Sequence, residues 1–349
     1  MNSFLFNLTE DDLKTWMLEH QEKPFRASQV FQWIYARGIT DWNLMTNLGQ
    51  PLRQALSERF KIFSLKLVET IDSIDGDTTK FLWELADGKY VESVLIRAPD
   101  RRTVCVSSQV GCGARCAFCA SGKGGFVRQL ESAEILEQVI QIDQWLKKNE
   151  ERVSHVVFMG MGEPLDNYDS VLKTIHLLTN PGGLNISQRR ITVSTVGVVE
   201  GIQRLADEDL KVNLVLSLHA PNQNTRKKII PYARKYALED VLASMLIYAK
   251  KTKRDITYEY TLMAGINDSL EQARELSLLV RGHPCTVNLI PYNPVPGLKL
   301  HRPEKEQIEA FRDVLVEAGI PTTWRYTKGK DIAAACGQLA LKQSKLEVI

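Results

Sequence analysis

Cys112, Cys116 and Cys119 fall in one short stretch with the spacing C-x3-C-x2-C. Three thiolates are one short of a closed tetrahedral zinc site, and one short of the four that a [4Fe–4S] cube usually takes. A cube held by three thiolates keeps one iron open, and an open metal position is where a substrate binds. A zinc knuckle with a distant fourth ligand and a set of buried thiols are the plainer readings. Gly160-Met-Gly-Glu163-Pro164 is a second candidate: its glycines let backbone amides approach a ligand, and Glu163 can accept from an ammonium group. Ser194, Ser217, Leu218, His219 and Asn293 sit in other segments that close apolar runs. Cys105 and Cys336 stand apart from the cluster, and each reads either as a small buried hydrophobe or as a nucleophile. Glu92 alternates with Val94 and Ile96, so it shares a strand face with apolar neighbours. Such a carboxylate usually reaches solvent at a strand end; buried, its pKa rises and it becomes a usable base.

The elements that must position these groups follow from periodicity. Residues 1–60 read as a small helical unit, with Thr9 and Asp12 spaced to cap a first helix that ends before Pro24. Ser28 precedes an apolar face of Val30, Phe31, Ile34 and Tyr35, closed by Gly38. Residues 61–97 shift towards period two, with strands expected at 63–67, 80–85 and 90–96 and turns at Asp75-Gly76 and Asp87-Gly88. From 98 to 340 strand and helix alternate. Strands are expected at 103–110, 153–159, 191–196, 212–218, 256–263, 286–290 and 322–326, with amphipathic helices at 133–147, 171–178, 238–250, 269–280 and 304–318. This predicts an α/β fold: an open, partial (β/α)6 barrel with chemistry at the C-terminal strand ends, carrying a helical accessory domain and a short β extension. A doubly wound open sheet is the rival architecture. A polar tail occupies 341–349.

The chain has 349 residues, of which 44% are hydrophobic and 25% charged, ordinary values for a soluble globular protein. No apolar run of about 18 residues is present, and no charged-then-apolar leader opens the sequence, so a cytoplasmic protein with no membrane partner is expected. Six cysteines in so long a chain do not make a secreted disulfide framework. The net charge of +2 excludes a claim of nucleic-acid binding from the total. Separate basic knots at Arg101-Arg102, Arg226-Lys227-Lys228, Arg234-Lys235 and the Lys250 to Arg254 segment permit a phosphate-binding surface, although each reads first as a solvated face.

The cysteine spacing, with Phe118 before the last cysteine, resembles the radical S-adenosylmethionine (SAM) superfamily. Over nearly the whole chain the sequence is similar to the RlmN/Cfr family of radical SAM RNA methyltransferases. The match runs to Ala335-Cys336-Gly-Gln-Leu339, and its most telling parts are Cys105-Val-Ser-Ser-Gln-Val-Gly-Cys112, Phe158-Met-Gly-Met-Gly-Glu-Pro164, Ser217-Leu-His-Ala-Pro221, Gly265-Ile-Asn-Asp-Ser269 and Asn288-Leu-Ile-Pro291. Glu163-Pro164, Ser121-Gly-Lys-Gly-Gly-Phe126 and Thr327-Lys-Gly329 resemble the RlmN branch, with Lys328 and Ala333 as departures from its usual residues.

The resemblance implies a [4Fe–4S] cluster on Cys112, Cys116 and Cys119 and a SAM site made of Gly162, Glu163, Ser194, Ser217, Leu218, His219 and Asn293. It implies that Cys336 takes a methyl group, that Glu92 is the proton acceptor, and that Cys105 resolves the product through a transient disulfide with Cys336. The expected reaction methylates C2 of an adenosine in 23S rRNA, and of one beside the anticodon in some tRNAs. A flavodoxin-like or other reductant would supply electrons to a monomeric enzyme. A Cfr-type enzyme acting on C8, a sister radical SAM enzyme with another substrate, and a metal-bearing RNA-binding module without catalysis are the rivals.

Overall fold

The computed structural model describes residues 3–324 and 328–339. A helical unit comes first. β1 (Ser3–Phe4) pairs in parallel with β2 (Phe60–Lys61), tying its two ends together. Between them lie α1 (Glu10–Glu19), α2 (Phe25–Phe31) and α3 (Gln50–Arg59). Thr9 caps α1 as expected, accepting from the Asp12 amide while the Asp12 carboxylate accepts from the Thr9 amide. α2 begins ahead of Ser28, because Pro24 already has helical φ and ψ and starts the helix. The Ser28 hydroxyl instead donates to Glu10 on α1. A π-helical turn at Gln32–Ala36 carries the chain to Gly38, whose φ of +68° ends the helix.

Three antiparallel strands follow: β3 (Lys66–Asp72), β4 (Thr78–Glu84) and β5 (Tyr90–Ala98). β3 starts later than the period-two pattern suggests. The amides of Ser64 and Leu65 donate to the buried Glu137 carboxylate instead of entering a strand ladder. β6 (Arg101–Cys105) pairs antiparallel with β5 and parallel with β9 (His155–Phe158). It stops at Cys105 and does not run to Val110. There the Ser107 amide turns to the Gln138 side chain and the Ser108 amide to the Met161 carbonyl. The chain then forms a separate hairpin, β7 (Gln109–Gly111) with β8 (Phe126–Gln129), and α4 (Ala120–Lys123) lies in its loop.

After β8 come α5 (Ser132–Lys147), β9, α6 (Tyr168–Thr179), β10 (Ile191–Thr195), α7 (Val199–Asp207) and β11 (Asn213–Ser217). The chain continues through α8 (Gln223–Ile229), α9 (Leu238–Thr252), β12 (Ile256–Leu262), α10 (Leu270–Leu279), β13 (Cys285–Pro291), α11 (Lys305–Glu317) and β14 (Thr322–Trp324). Strands β6 and β9 to β14 are all parallel, so six strand-helix units are followed by one more strand. All of them join β3 to β5 in one ten-stranded sheet ordered β14-β13-β12-β11-β10-β9-β6-β5-β4-β3. Side chains from β5, β6 and every strand from β9 to β14 line a common cavity, so the sheet curls around its own interior. Its other face packs against the helices, with α5 among the most buried. Thr327 and the tail from 341 lie outside the described residues.

Candidate active site

The hairpin presents the cysteine loop at the C-terminal mouth of the barrel. Its backbone is fixed at three points: Cys112 N–H donates to Gly125 O (3.0 Å), Ala117 N–H to Ile229 O (2.8 Å) and Cys119 N–H to Cys116 O (3.1 Å). Gly122 is required here, because a Cβ would stand 2.9 Å from the Arg115 Cα. Cys112, Cys116 and Cys119 all face one cavity with Glu163, His219 and Tyr292. Burial pushes the Cys112 thiol up to about 12 and Cys116 well above its ordinary value, and the three sulfurs repel one another's charge.

Among the described residues no three His, Cys, Asp or Glu side chains converge on a point that a single ion could occupy. A cube takes one thiolate per iron and suits three cysteines spread around a cavity.

The strand ends supply the remaining walls. Gly160 and Gly162 follow β9; a Cβ at Gly160 would lie 2.6 Å from Val106 O, and Gly162 has φ +112° with Gln109 packed against it. Glu163 is buried, and its two oxygens accept from the amides of Val196 (2.8 Å) and Leu165 (3.0 Å). Burial outweighs these donors and pushes its carboxyl up to about 7. Ser194 and Ser217 meet across β10 and β11 with their hydroxyls 3.5 Å apart. His219 adopts φ +54°, and its Nδ1 accepts from the Thr261 amide (2.9 Å), which places the ring proton on Nε2. Burial lowers its pKa to about 3, so the ring is neutral. The Phe118 ring stands edge-on to it at 4.7 Å. Asn293 Nδ2 donates to Cys336 O (3.2 Å).

Leu218 departs from the group. Its side chain is 0% exposed in the core and lines neither cavity, because alternation along the strand turns it away from Ser217.

The Cys336 loop closes the mouth. Ala120 N–H donates to Gly337 O (2.8 Å) and Ser121 Oγ to Leu339 O (2.6 Å), so it is bonded to the cysteine loop itself. Cys336 lines both this cavity and a second one of ≈ 880 Å³ that fills the barrel. Cys105 faces the second cavity beside Val94 and Ile96. Glu92 lies on the same face of β5, 2% exposed and ion-paired with Lys80, one step beyond the residues that form the wall. At its far end the barrel cavity is rimmed by Arg101, His155, Arg189 and Arg190.

Sequence reasoning passed over Glu259, which lines both cavities, and Arg189 and Arg190. An acid alternating with threonines in Thr257-Tyr-Glu-Tyr-Thr261 was the available signal for the first. Of the basic knots, Arg226 is a correction. It is wholly buried, because its guanidinium turns inward to strand-end carbonyls. Arg102 is engaged by Glu151.

Comparison with known proteins agrees with this geometry. Residues 3–62 match the family model for the ribosomal RNA large subunit methyltransferase N-terminal domain, and residues 106–276 the radical SAM superfamily. A probable dual-specificity RNA methyltransferase RlmN 2 of Protochlamydia amoebophila is 62% identical over 331 residues, covering 95% of this chain and 92% of the relative. The chain belongs to the RlmN family of radical SAM RNA methyltransferases. A probable RlmN of Bacillus subtilis is 43% identical over 343 residues, spanning 98% of this chain and 94% of its own length. A radical SAM methyltransferase from Sphaerobacter thermophilus superimposes with a TM-score of 0.94 at 41% identity, covering 97% of this chain and 99% of that one. The RlmN fold is thus the radical SAM barrel, here with six strand-helix units and an added strand. No helix among the described residues is long and apolar enough to cross a membrane.

Proposed function

We propose that this RlmN-family enzyme methylates C2 of an adenosine in 23S rRNA, and of one beside the anticodon in tRNA, in the cytoplasm as a monomer. The observation that carries the reading is the position of Cys336, at the junction of the cysteine-lined cavity and the barrel cavity, with Cys105 facing the second. C2 of adenine is an electron-poor carbon that does not attack a sulfonium methyl, so direct transfer is closed and a sulfur must carry the methyl group. When bound, a [4Fe–4S] cluster on Cys112, Cys116 and Cys119, fed by a flavodoxin-like reductant, and SAM supply a radical able to take hydrogen from that group.

Cys336 accepts the methyl and, once that radical has taken one hydrogen from it, bonds through the methylene carbon to C2. Glu92 takes the C2 proton, and the electron left over would return to the cluster, when bound. Cys105 then attacks the Cys336 sulfur as a thiolate; the sulfur–carbon bond breaks with its electron pair going to the carbon, which takes up a proton to become the product methyl, and the Cys105–Cys336 disulfide awaits reduction. Gly162, Glu163, Ser194, Ser217, His219 and Asn293 hold SAM: the carboxylate takes its ammonium, and the hydroxyls and the neutral imidazole suit its polar groups. Leu218 contributes backbone only. The ≈ 880 Å³ barrel cavity is of a size to admit a nucleoside, and its basic rim suits phosphates.

The test is nucleoside mass spectrometry of rRNA and tRNA from cells with and without the gene, together with purified variants. The reading expects 2-methyladenosine to depend on the gene, Cys336→Ala to leave RNA unmodified, and Cys105→Ala to accumulate a covalent protein–RNA band on denaturing gels. Gene-dependent 8-methyladenosine, or normal turnover by Cys105→Ala without that band, overturns it.

A further inference from the structure

Arg226 is a large charged side chain with 0% exposure. It rises from α8, whose C-terminal Ile229 carbonyl holds the cysteine loop through Ala117 N–H. Nε donates to Leu218 O (3.2 Å), and Nη2 to Val196 O (2.5 Å) and Ser217 O (3.3 Å). These carbonyls end β10 and β11 directly behind the wall that Val196, Ser217 and His219 give to the cysteine-lined cavity. Nη1 is buried and makes no hydrogen bond among the described residues. No carboxylate forms an ion pair with the guanidinium among those residues.

A buried guanidinium stays charged, and carbonyl dipoles solvate that charge without neutralising it. Ala117, whose amide the same helix holds, adjoins Cys116, and Val196 and Ser217, whose carbonyls the guanidinium holds, line the cavity that the three cysteines face. A cation is therefore fixed in the protein interior behind this wall, and three cysteines acting as thiolate ligands on its other side would supply negative charge to balance it. A cube on three thiolates is anionic, and more so once reduced.

We propose that Arg226 is the buried counter-charge of the iron–sulfur cluster and raises the potential at which that cluster accepts an electron. The inference rests on the reading of Cys112, Cys116 and Cys119 as cluster ligands. A positive charge in a low-dielectric setting favours the reduced, more negative state; removing it makes the cluster harder to reduce. The alternative is that Arg226 only ties the strand ends together through its carbonyl contacts.

The two roles separate in anaerobically reconstituted wild type, Arg226→Met and Arg226→Lys. Midpoint potentials are measured by redox titration followed by electron paramagnetic resonance, with SAM absent and then present. A melting curve is taken of each protein before and after cluster loading. The expected result is a potential shifted to more negative values in Arg226→Met without SAM, a value near wild type in Arg226→Lys, and a smaller rise in Tm on cluster loading in Arg226→Met. If Arg226→Met loads poorly, Arg226→Gln takes its place. It keeps donors for the carbonyls but loses the charge, so a more negative potential supports the proposal and an unchanged one overturns it. Unchanged potentials in both variants, or a shift seen only with SAM bound, which would assign the charge to the SAM carboxylate, also overturn it. Failure of the wild type to bind about four irons would remove the underlying reading of the cysteines instead.

Discussion

Lys80 on β4 and Glu92 on β5 form an ion pair of 3.1 Å with side chains only 9% and 3% exposed. The two strands are antiparallel neighbours with Leu82 opposite Glu92 and Lys80 opposite Val94, so the pair is diagonal on the inner face of the sheet. Lys80→Met removes the cation and leaves the carboxylate buried, a cost of about 3–5 kcal/mol when one partner of a buried pair is lost. Pairing it with Glu92→Gln should recover much of that loss. Chemical denaturation of both single variants and the double variant measures the coupling; additive effects would show that the pair contributes nothing.

Glu163 gives a pH dependence with a definite sign. In the free protein its carboxyl is pushed up to about 7 by burial. Holding an ammonium requires the ionised form, so below about pH 7 SAM binding must first expel a proton, and the apparent Kd should rise about tenfold per pH unit. Above that value the Kd should be flat. Glu163→Gln should bind SAM weakly at all pH values with no such slope. Isothermal titration between pH 5.5 and 8.5 decides; a parallel slope in the variant would assign the effect to another group.

Gly162→Ala tests the close approach at the end of β9. With φ +112° and a Cβ that would stand 2.7 Å from the Gln109 Cβ, alanine is strained twice over, by conformation and by contact. The conformational part alone costs on the order of 1–3 kcal/mol. The local shift should raise the KM for SAM far more than it changes binding of RNA, which is measured by filter retention at fixed salt.

Asn7 connects the helical unit to the barrel. Its Oδ1 accepts from the Ala133 amide (3.0 Å) and the Ser132 hydroxyl (3.1 Å), and its Nδ2 donates to Glu131 (2.6 Å), so it helps to cap α5 from a distant part of the chain. Asn7→Ala should cost about 1 kcal/mol, the usual worth of a helix cap, and should increase protease sensitivity in residues 1–60. Limited proteolysis with and without the substitution reads this directly.

Much of the site was legible because chemistry with strict geometric needs leaves strict spacing. The cysteines are read from their own spacing, and the Gly160 to Glu163 turn and the strand-end Ser217 and His219 follow apolar runs, which local sequence reports well. What stayed hidden depends on distant contacts. β7 and β8 are too short to show a period, and their pairing encloses the cysteine loop through non-local hydrogen bonds. Arg226 stands beside Lys227 and Lys228 and looks like a solvated knot, since composition cannot say which of three adjacent cations turns inward. The late start of β3 is set by Glu137, a residue 73 positions from Ser64 in the sequence.

The Cys336 loop is moored to the outer hairpins. Lys328 Nζ contacts the Asp77 carboxylate (2.7 Å) and donates to Arg97 O (2.8 Å), and the Asp331 carboxylate accepts from the Ile74 amide (2.8 Å). Asp77 and Lys328 are 251 positions apart in the chain. Synthesis proceeds from the N-terminus, so the hairpin is made long before its partner segment emerges. The barrel and its cysteine loop can be in place while the thiol that closes the mouth has not yet arrived. A chain cut short by premature termination would keep the three clustered cysteines behind an open mouth and lack Cys336 altogether. If Cys336 carries the methyl group, as proposed, such a chain would have no residue to receive it.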